Sequence, residues 1–453
     1  MIRFILRLSL LTSWSLLALS LTGQNQSMSL SDAIQLGLEN NYGIRIATAE
    51  LEAVANNDDW SLAGRYPTIS LGLSPSIGYR NNTNPASIVS SSSTTSFGLA
   101  PSANLNWTLF NGGRVRITKE QLTTQTSLSE GQLQVQVENT VQSIIQAYYN
   151  AVVQREQIEV LQRILNLSSD QIEYQDLRQE YGQGGSFDRL QVQDAYLNDS
   201  ISLEIQRTNY DNSVRNLLQI LGQEVDELSP VLTTSFDSEQ AVYDREDLLM
   251  RLENSNRSLD NLRINRQLAA LDTRLIETER QPTLGLTAGV GYDITVVTGT
   301  QTFDFGGDQP PRDQSLPGIA SRTLTGNLGL TATYLLYDGG ARNVRRQSAR
   351  LREVTSQLNY ESAAQELRTL LVNTLALYEN QRDIVDLTLQ LIDNAERNLA
   401  IAEERFRGGI INSFDYRSVQ LAYLNAEFQL LQAQLNLKNT ETELLRLTGQ
   451  IVN

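Results

Sequence analysis

Between residues 68 and 79, TISLGLSPSIGY, the apolar side chains Ile69, Leu71, Leu73, Ile77 and Tyr79 alternate with small or polar ones. The same period of two returns at 97–109, on Phe97, Leu99, Ala103, Leu105, Trp107 and Leu109. It returns again at 284–296, on Leu284, Leu286, Ala288, Val290, Tyr292, Ile294 and Val296. A fourth run sets Leu324, Leu328, Leu330, Ala332, Tyr334 and Leu336 against Thr325, Asn327, Gly329, Thr331 and Thr333. Strand side chains point alternately to two faces, so each run predicts a β-strand with one apolar face. The other face is Gly, Ser, Thr and Asn with almost no charge. That suits the lumen of a barrel better than the wet side of a soluble sheet. Each run is about ten to thirteen residues long, the length of a tilted transmembrane strand. The polar stretches 80–96 and 297–323 read as loops on the outer side.

Elsewhere the period lengthens. Apolar residues recur at alternating spacings of four and three on Leu371, Leu375, Tyr378, Val385, Leu389, Ile392, Leu399 and Phe406, and again from Phe414 to Leu445. This is a coiled-coil period. None of the nine prolines lies between Ser102 and Ser229 or after Pro317. A proline inside a helix costs about 3 kcal/mol, so both tracts can hold very long helices. A helix from Arg114 to Tyr181 would run about 100 Å at 1.5 Å per residue, too long for a globular domain of this size.

The plan is given twice. FNGG at 110–113 recurs as YDGG at 337–340, an offset of 227. At the same offset SFDRLQVQDAYLN (186–198) returns as SFDYRSVQLAYLN (413–425). NNYGIRIATAEL (40–51) pairs loosely with SNRSLDNLRINR (255–266) at an offset of 215. A unit above 200 residues is a duplicated half-protein and not a solenoid repeat. The expected organisation is a signal peptide at 1–23, a first repeat at 24–222, a linker at 223–243 and a second repeat at 244–453. Each repeat holds a helix, two strands and a long helical hairpin.

Composition narrows the chemistry. Cysteine and histidine are absent, which removes disulfides, thiolate nucleophiles, the usual zinc sites and every His-based general base. Carboxylates are plentiful, but no pocket-forming α/β pattern accompanies them, so no enzyme, cofactor or metal site is expected. A net charge of -16 and a pI near 4.6 argue against nucleic acid as a partner. At the N-terminus Arg3 and Arg7 precede an apolar run from Leu8 to Leu21. That is short for a membrane span and fits a secretory signal cleaved near Gly23, the other reading being an uncleaved anchor.

Four strands cannot close a barrel, because bacterial barrels start at eight. An open sheet in lipid would leave edge amides unpaired, at several kcal/mol each. The sheet must therefore close by oligomerisation, and two, three or four subunits would give eight, twelve or sixteen strands. Tyr66, Trp107, Phe110, Tyr334 and Tyr337 all fall where strand meets helix, as in an interfacial aromatic girdle. A strand, a glycine pair and a helix can also make a phosphate-binding loop. Neither FNGGR nor YDGGAR is followed by Lys-Ser/Thr, however, and neither has the glycine spacing. Asn111 and Asp338 are instead placed to cap the helix starts. Gly112, Gly113, Gly339 and Gly340 let the backbone swing out of the strand direction.

Taken in order, these segments resemble the TolC-like outer-membrane efflux protein family. LSDAIQLGLENNYGIRIATAELE (30–52) is similar to the family's first helix, LFNGGR and LYDGGAR to its strand-to-helix turns, and AYYNAVVQREQIEVL and LALYENQRDIVDLTLQLI to the long helices that follow. The resemblance implies a mainly α fold with a transmembrane β part. Each subunit of a homotrimer gives four antiparallel strands to a twelve-stranded barrel, continued by long coiled-coil hairpins as a periplasmic α-barrel. It further implies an exit duct in the outer membrane that works with a periplasmic adaptor and an inner-membrane transporter. A stand-alone porin or receptor with a helical stalk is the alternative. The hairpin tips EYGQGGSFDRL and ERFRGGIINSFDYRS match the family's docking end, the first being read as two residues shorter. Gly182, Gly184, Gly185, Gly408 and Gly409 would shape the docking turns, with Asp415 and Asp188 at the entrance. Ser186 and Ser413 are the expected helix caps there. Where the family latches its gate with tyrosine and arginine this chain has Phe406 and Ile411, and a family acidic position is Ser418.

Overall fold

The computed structural model describes residues 27–224, 230–236 and 240–452. The expected signal peptide and part of the linker lie outside the described residues. The chain is mainly helical. Its first half runs β1 (Ser27–Met28), α1 (Leu30–Asn40), α2 (Tyr42–Asn56), β2 (Thr68–Thr83), β3 (Val89–Asn111), α3 (Arg114–Glu180) and α4 (Ser186–Ile220). After β4 (Val231–Leu232) the second half repeats the series as α5 (Arg245–Ser255), α6 (Arg257–Thr278), β5 (Thr283–Phe303), β6 (Arg312–Thr333), α7 (Ala341–Arg407) and α8 (Ser413–Leu447). Helices α3 and α7 are both 67 residues long, and α4 and α8 are both 35. Among the described residues no helix is long and apolar enough to cross a membrane.

Two compact units draw on both halves of the sequence. One is built within Met1–Asn41, Thr140–Val242 and Leu377–Glu443, the other within Tyr42–Asn139, Tyr243–Ala376 and Leu444–Asn453.

The second unit holds the antiparallel sheet, in strand order β2-β3-β5-β6. Its strands run to 16, 23, 21 and 22 residues, longer than their alternating cores. Most of the outer stretches expected as loops is strand, and only 84–88 and 304–311 turn. A ladder is held by backbone bonds, and the Ser- and Thr-rich segments stay extended after their apolar alternation has stopped. At the other end β6 stops at Thr333, so Tyr334 and Leu336 follow the strand and are not part of it.

Among the described residues no layer covers the apolar face of this sheet. Leu71 is 85% exposed and Leu328 77%, and Ile69, Ile77 and Leu324 are exposed as well. A soluble sheet would bury that face against a helix or a second sheet. The opposite face is packed small: Gly98 pairs with Ser76 and Gly72 with Ser102. A Cβ on Gly98 would lie 2.4 Å from the Ser76 hydroxyl. In β3 the ladder to β5 skips Ala100 and Pro101, where the proline has no amide to offer. Near the strand end a bulge between Thr108 and Phe110 leaves Leu109 unpaired. The bulge shifts the phase by one, so Trp107 opposite Leu286 and Phe110 opposite Leu284 share one face despite their odd and even numbers.

The segment expected as one first helix is broken at Asn41, whose ψ of 126° is not helical. Asn41 Nδ2 donates to the carbonyl of Ile220, the last residue of α4, at 2.7 Å. The second half repeats the device: Asn256 separates α5 from α6 and donates to the Leu447 carbonyl at 3.0 Å. Each break satisfies a carbonyl that a helix end leaves without a partner.

In the first unit the parallel pair β1–β4 closes a core of Ala33, Ile144, Tyr148, Val152, Val214 and Leu217. Tyr148 is fully buried; its hydroxyl donates to the Met28 carbonyl (2.9 Å) and accepts from the Thr234 amide (3.1 Å). Tyr148→Phe should therefore cost about 1–3 kcal/mol, the range for a buried polar group that loses its partner. Thermal unfolding followed by circular dichroism in detergent would show it as a lowered midpoint, and an unchanged midpoint would contradict the account.

Candidate functional site

The strand-to-helix turns of the second unit are two versions of one geometry. Gly112 and Gly113 have φ of 69° and 85°, and Gly339 and Gly340 have φ of 69° and 88°. Asn111 Oδ1 accepts from the Val115 amide at 3.3 Å. The Asp338 carboxylate accepts from the Gly340 and Arg342 amides at 3.2 and 2.8 Å. Burial pushes the Asp338 carboxyl up, but those amides and the Arg342 and Arg345 guanidiniums together hold it below the usual carboxylate range. Tyr66, Trp107, Phe110, Tyr334 and Tyr337 are all exposed around these turns, and Trp107 Nε1 donates to the Arg65 carbonyl at 2.9 Å.

The hairpin tips belong to the first unit, and backbone geometry defines them. After α3, Gly182 takes φ of 69°, the Gln183 amide reaches the Arg178 carbonyl at 2.8 Å, and the Gly182 amide reaches Gln179 at 3.0 Å. After α7, Gly409 takes φ of 71°, and Ile410 and Gly409 make the matching bonds to Arg405 (2.8 Å) and Phe406 (2.9 Å). Both ends are the crossed closure that a left-handed glycine allows. The two tips are therefore equal in length, which corrects the expectation of a shorter first tip. That expectation matched the visible pair Gly184-Gly185 to Gly408-Gly409, whereas conformation matches Gly182 to Gly409. Gly184 packs on α3, where a Cβ would sit 3.0 Å from the Gln179 amide nitrogen, and Gly408 carries an ordinary turn bond to Glu404.

The caps also differ from expectation. Gly185 precedes α4 and makes no side-chain cap bond. Asn412 caps α8, its Oδ1 accepting from the Asp415 amide at 2.9 Å. Ser186 and Ser413 are the first helical residues instead. The cap lies one residue upstream in both copies, and Ser413 is left to accept from Gln175 Nε2 at 3.2 Å.

Asp188 and Asp415 both fall in the first helical turn, with Asp188 half-buried and Asp415 exposed. Asp415 and Ser418 line a groove of about 570 Å³ with Leu391, Asn398, Ile401 and Arg405. Sequence reasoning missed the neighbouring aromatics. Phe187 and Phe414 stand one residue before the aspartates, 78% and 67% exposed, and Tyr181 and Ile410 are exposed beside them. The repeated triplet Ser-Phe-Asp was the available signal, and the period that set Phe414 on the helical seam does not bury it.

Phe406 is buried. It stacks on Tyr416 with centroids 5.0 Å apart and leans on Tyr174 at 5.2 Å, while Ile411 packs against the same cluster. Burial, with Glu403 adding to it, pushes the Tyr416 hydroxyl up to about 12. Further along the hairpins Asp199, 3% exposed, takes a two-pronged contact from Arg417 at 2.8 and 2.5 Å and a hydroxyl from Ser168 at 2.5 Å. That charge cluster ties α3, α4 and α8 together.

A bare four-stranded sheet whose strands lead through glycine turns into two 67-residue helices is the fold seen in solved outer-membrane channels. The chain belongs to the outer membrane efflux protein family, whose model matches residues 33–223 and 248–450. It is 27% identical to the outer membrane protein TolC of Escherichia coli over 232 residues, 51% of this chain and 45% of that protein. The chain thus spans about half the length of the relatives it matches in sequence. The CmeC outer membrane channel of Campylobacter jejuni has the same fold, with a TM-score of 0.74 at 16% identity over 93% of this chain and 85% of that one. So does the outer membrane protein VceC of Vibrio cholerae, with a TM-score of 0.66 at 18% identity over 93% and 96%. The protein is an outer-membrane protein of this fold.

The charge cluster and the aromatic cluster each make a test. Arg417→Ala leaves the Asp199 carboxylate buried alone and should cost about 3–5 kcal/mol, while adding Asp199→Leu should recover most of it. Equal melting of the single and double variants would refute the buried-charge account. Tyr416 has a folded pKa above its ordinary 10, so its stabilising effect is full below pH 10 and is lost as pH rises toward about 12. Near-UV dichroism should loosen in that window, and Tyr416→Phe should shrink the change; an identical alkaline transition in the variant would remove Tyr416 as its source.

Proposed function

We propose that the protein is the exit duct of a tripartite efflux or type I secretion system, passively conducting substrates from an inner-membrane transporter and a periplasmic adaptor to the exterior. The observation that carries this reading is an apolar sheet face left uncovered, with edge strands β2 and β6 left unpaired on their outer sides, among the described residues. Both defects vanish if several copies close one barrel in lipid, and three copies give twelve strands. The chain then acts as a homotrimer, with Tyr66, Trp107, Phe110, Tyr334 and Tyr337 at the periplasmic membrane surface. The two sequence halves act as duplicated repeats, so each subunit offers two tips of one design. The adaptor docks there, on turns shaped by Gly182, Gly184, Gly185, Gly408 and Gly409, with Phe187 and Phe414 as apolar anchors. Asp415 and Asp188 place carboxylates at the entrance. Transport needs no chemistry in this chain, because the driving force comes from the transporter.

Deleting the gene should raise dye accumulation about as much as deleting the pump, and the double deletion should add nothing. Additive deletions would favour a stand-alone porin. In the same assay Phe187→Asp with Phe414→Asp should reproduce the deletion while three-fold particles still form. If those variants exported dye normally, the tips would lose their docking role.

A further inference from the structure

The chain is acidic overall, yet one zone of the second unit is basic. Residues 58–66, 112–120, 279–281 and 338–346 carry eight Arg and Lys side chains against five Asp and Glu. All four stretches adjoin the same ends of the strands, where β2 begins, β3 ends, β5 begins and β6 ends. They also meet in space. A Cβ on Gly112 would lie 2.7 Å from the Thr278 carbonyl, and Trp107 bonds to the Arg65 carbonyl.

Within this zone charge is placed against the helix dipole. The N-terminal end of a helix is positive and favours acidic side chains. Helices α1, α4, α5, α6 and α8 obey, each with an acid in the first turn. The two helices that leave the sheet have none, like α2; α3 opens with Arg114 and Arg116, and α7 with Ala341 and Arg342 behind its Asp338 cap. Internal carboxylates answer part of this charge. Asp338 and Glu279 meet Arg342 and Arg345, and Asp58 meets Lys119 at 2.6 Å. Arg65, Arg114, Arg116 and Arg280 are exposed and make no ion pair among the described residues. Exposed Leu62, Tyr66, Phe110 and Tyr337 lie among them, at the border of the bare apolar face.

Exposed cations without an ion pair, two of them on the dipole-positive start of α3, interleaved with aromatic rings and edged by an apolar face, call for a partner that is anionic on one side and hydrocarbon on the other. We propose that this zone binds anionic phospholipid headgroups of the periplasmic leaflet, and so fixes the depth of the barrel in the membrane. The inference rests on the barrel reading above, with the helices directed into the periplasm. Phosphate oxygens would take the guanidinium donors of Arg114 and Arg116, while the rings sit at headgroup level.

The zone carries its own probes. Of the three tryptophans, Trp14 lies in the expected signal peptide, and Trp60 and Trp107 lie here. The purified full chain would be reconstituted into phosphatidylcholine nanodiscs containing either brominated phosphatidylglycerol or brominated phosphatidylcholine at equal mole fraction. Brominated phosphatidylglycerol should quench the tryptophans more strongly, and added salt should erase the difference. Arg114→Gln with Arg116→Gln should reduce the preference by about fivefold per charge removed at low salt. Lysine at both positions should retain most of it. If the glutamine variant does not insert, the salt titration of the unaltered protein decides. Equal quenching by both lipids, or a preference insensitive to salt, overturns this proposal and leaves the barrel standing. Quenching by neither lipid overturns both.

Discussion

Every backbone amide needs a hydrogen-bond partner, and this fold follows from where that need is met inside one chain and where it is not. Helices meet it internally, which lets α3 and α7 run for 67 residues without tertiary help along every turn. The interior strands β3 and β5 meet it through neighbours on both sides. Strands β2 and β6 meet it on one side only. In lipid that would leave edge amides unpaired, which is the physical reason the proposed function closes the sheet with further copies.

The two halves have helices of common length and differ in their interiors. The left-handed tip glycines Gly182 and Gly409, the helix breaks at Asn41 and Asn256 and the strand-to-helix turns recur almost unchanged. The packing behind the tips does not. Tyr416 follows Asp415 and stacks on Phe406, whereas Arg189 holds the matching place in the first copy and pairs with Asp176 on the surface at 2.6 Å. Asp199 and Arg417 come from different copies, so their pairing arises only when the two hairpins meet. Shared geometry sets where each hairpin ends, and unequal side chains set how the hairpins hold one another.

Periodicity made the long helices and the cores of all four strands legible, because burial or lipid exposure selects one face over many residues. What pattern alone missed depends on single backbone angles or on backbone bonding. Strands ran on through Ser and Thr because a ladder ignores side-chain polarity. The first tip was misjudged because two adjacent glycines are visible in sequence, while the positive φ of Gly182 is not. The caps at Ser186 and Ser413 were off by one residue, since Asn412 and Gly185 are equally good cap residues by type. Trp107 and Phe110 have opposite parity, and only the bulge at Leu109 puts them on one face.

The way the tips are closed bears on how such a protein can change. Each turn is fixed by one left-handed glycine and two main-chain hydrogen bonds, so few side chains are needed to hold its shape. Residues 183, 187, 410 and 414 can therefore be replaced without unmaking the hairpin. On the docking role proposed for the tips, a lineage could exchange one partner for another by substitutions there alone, while the sheet and the long helices stayed as they were.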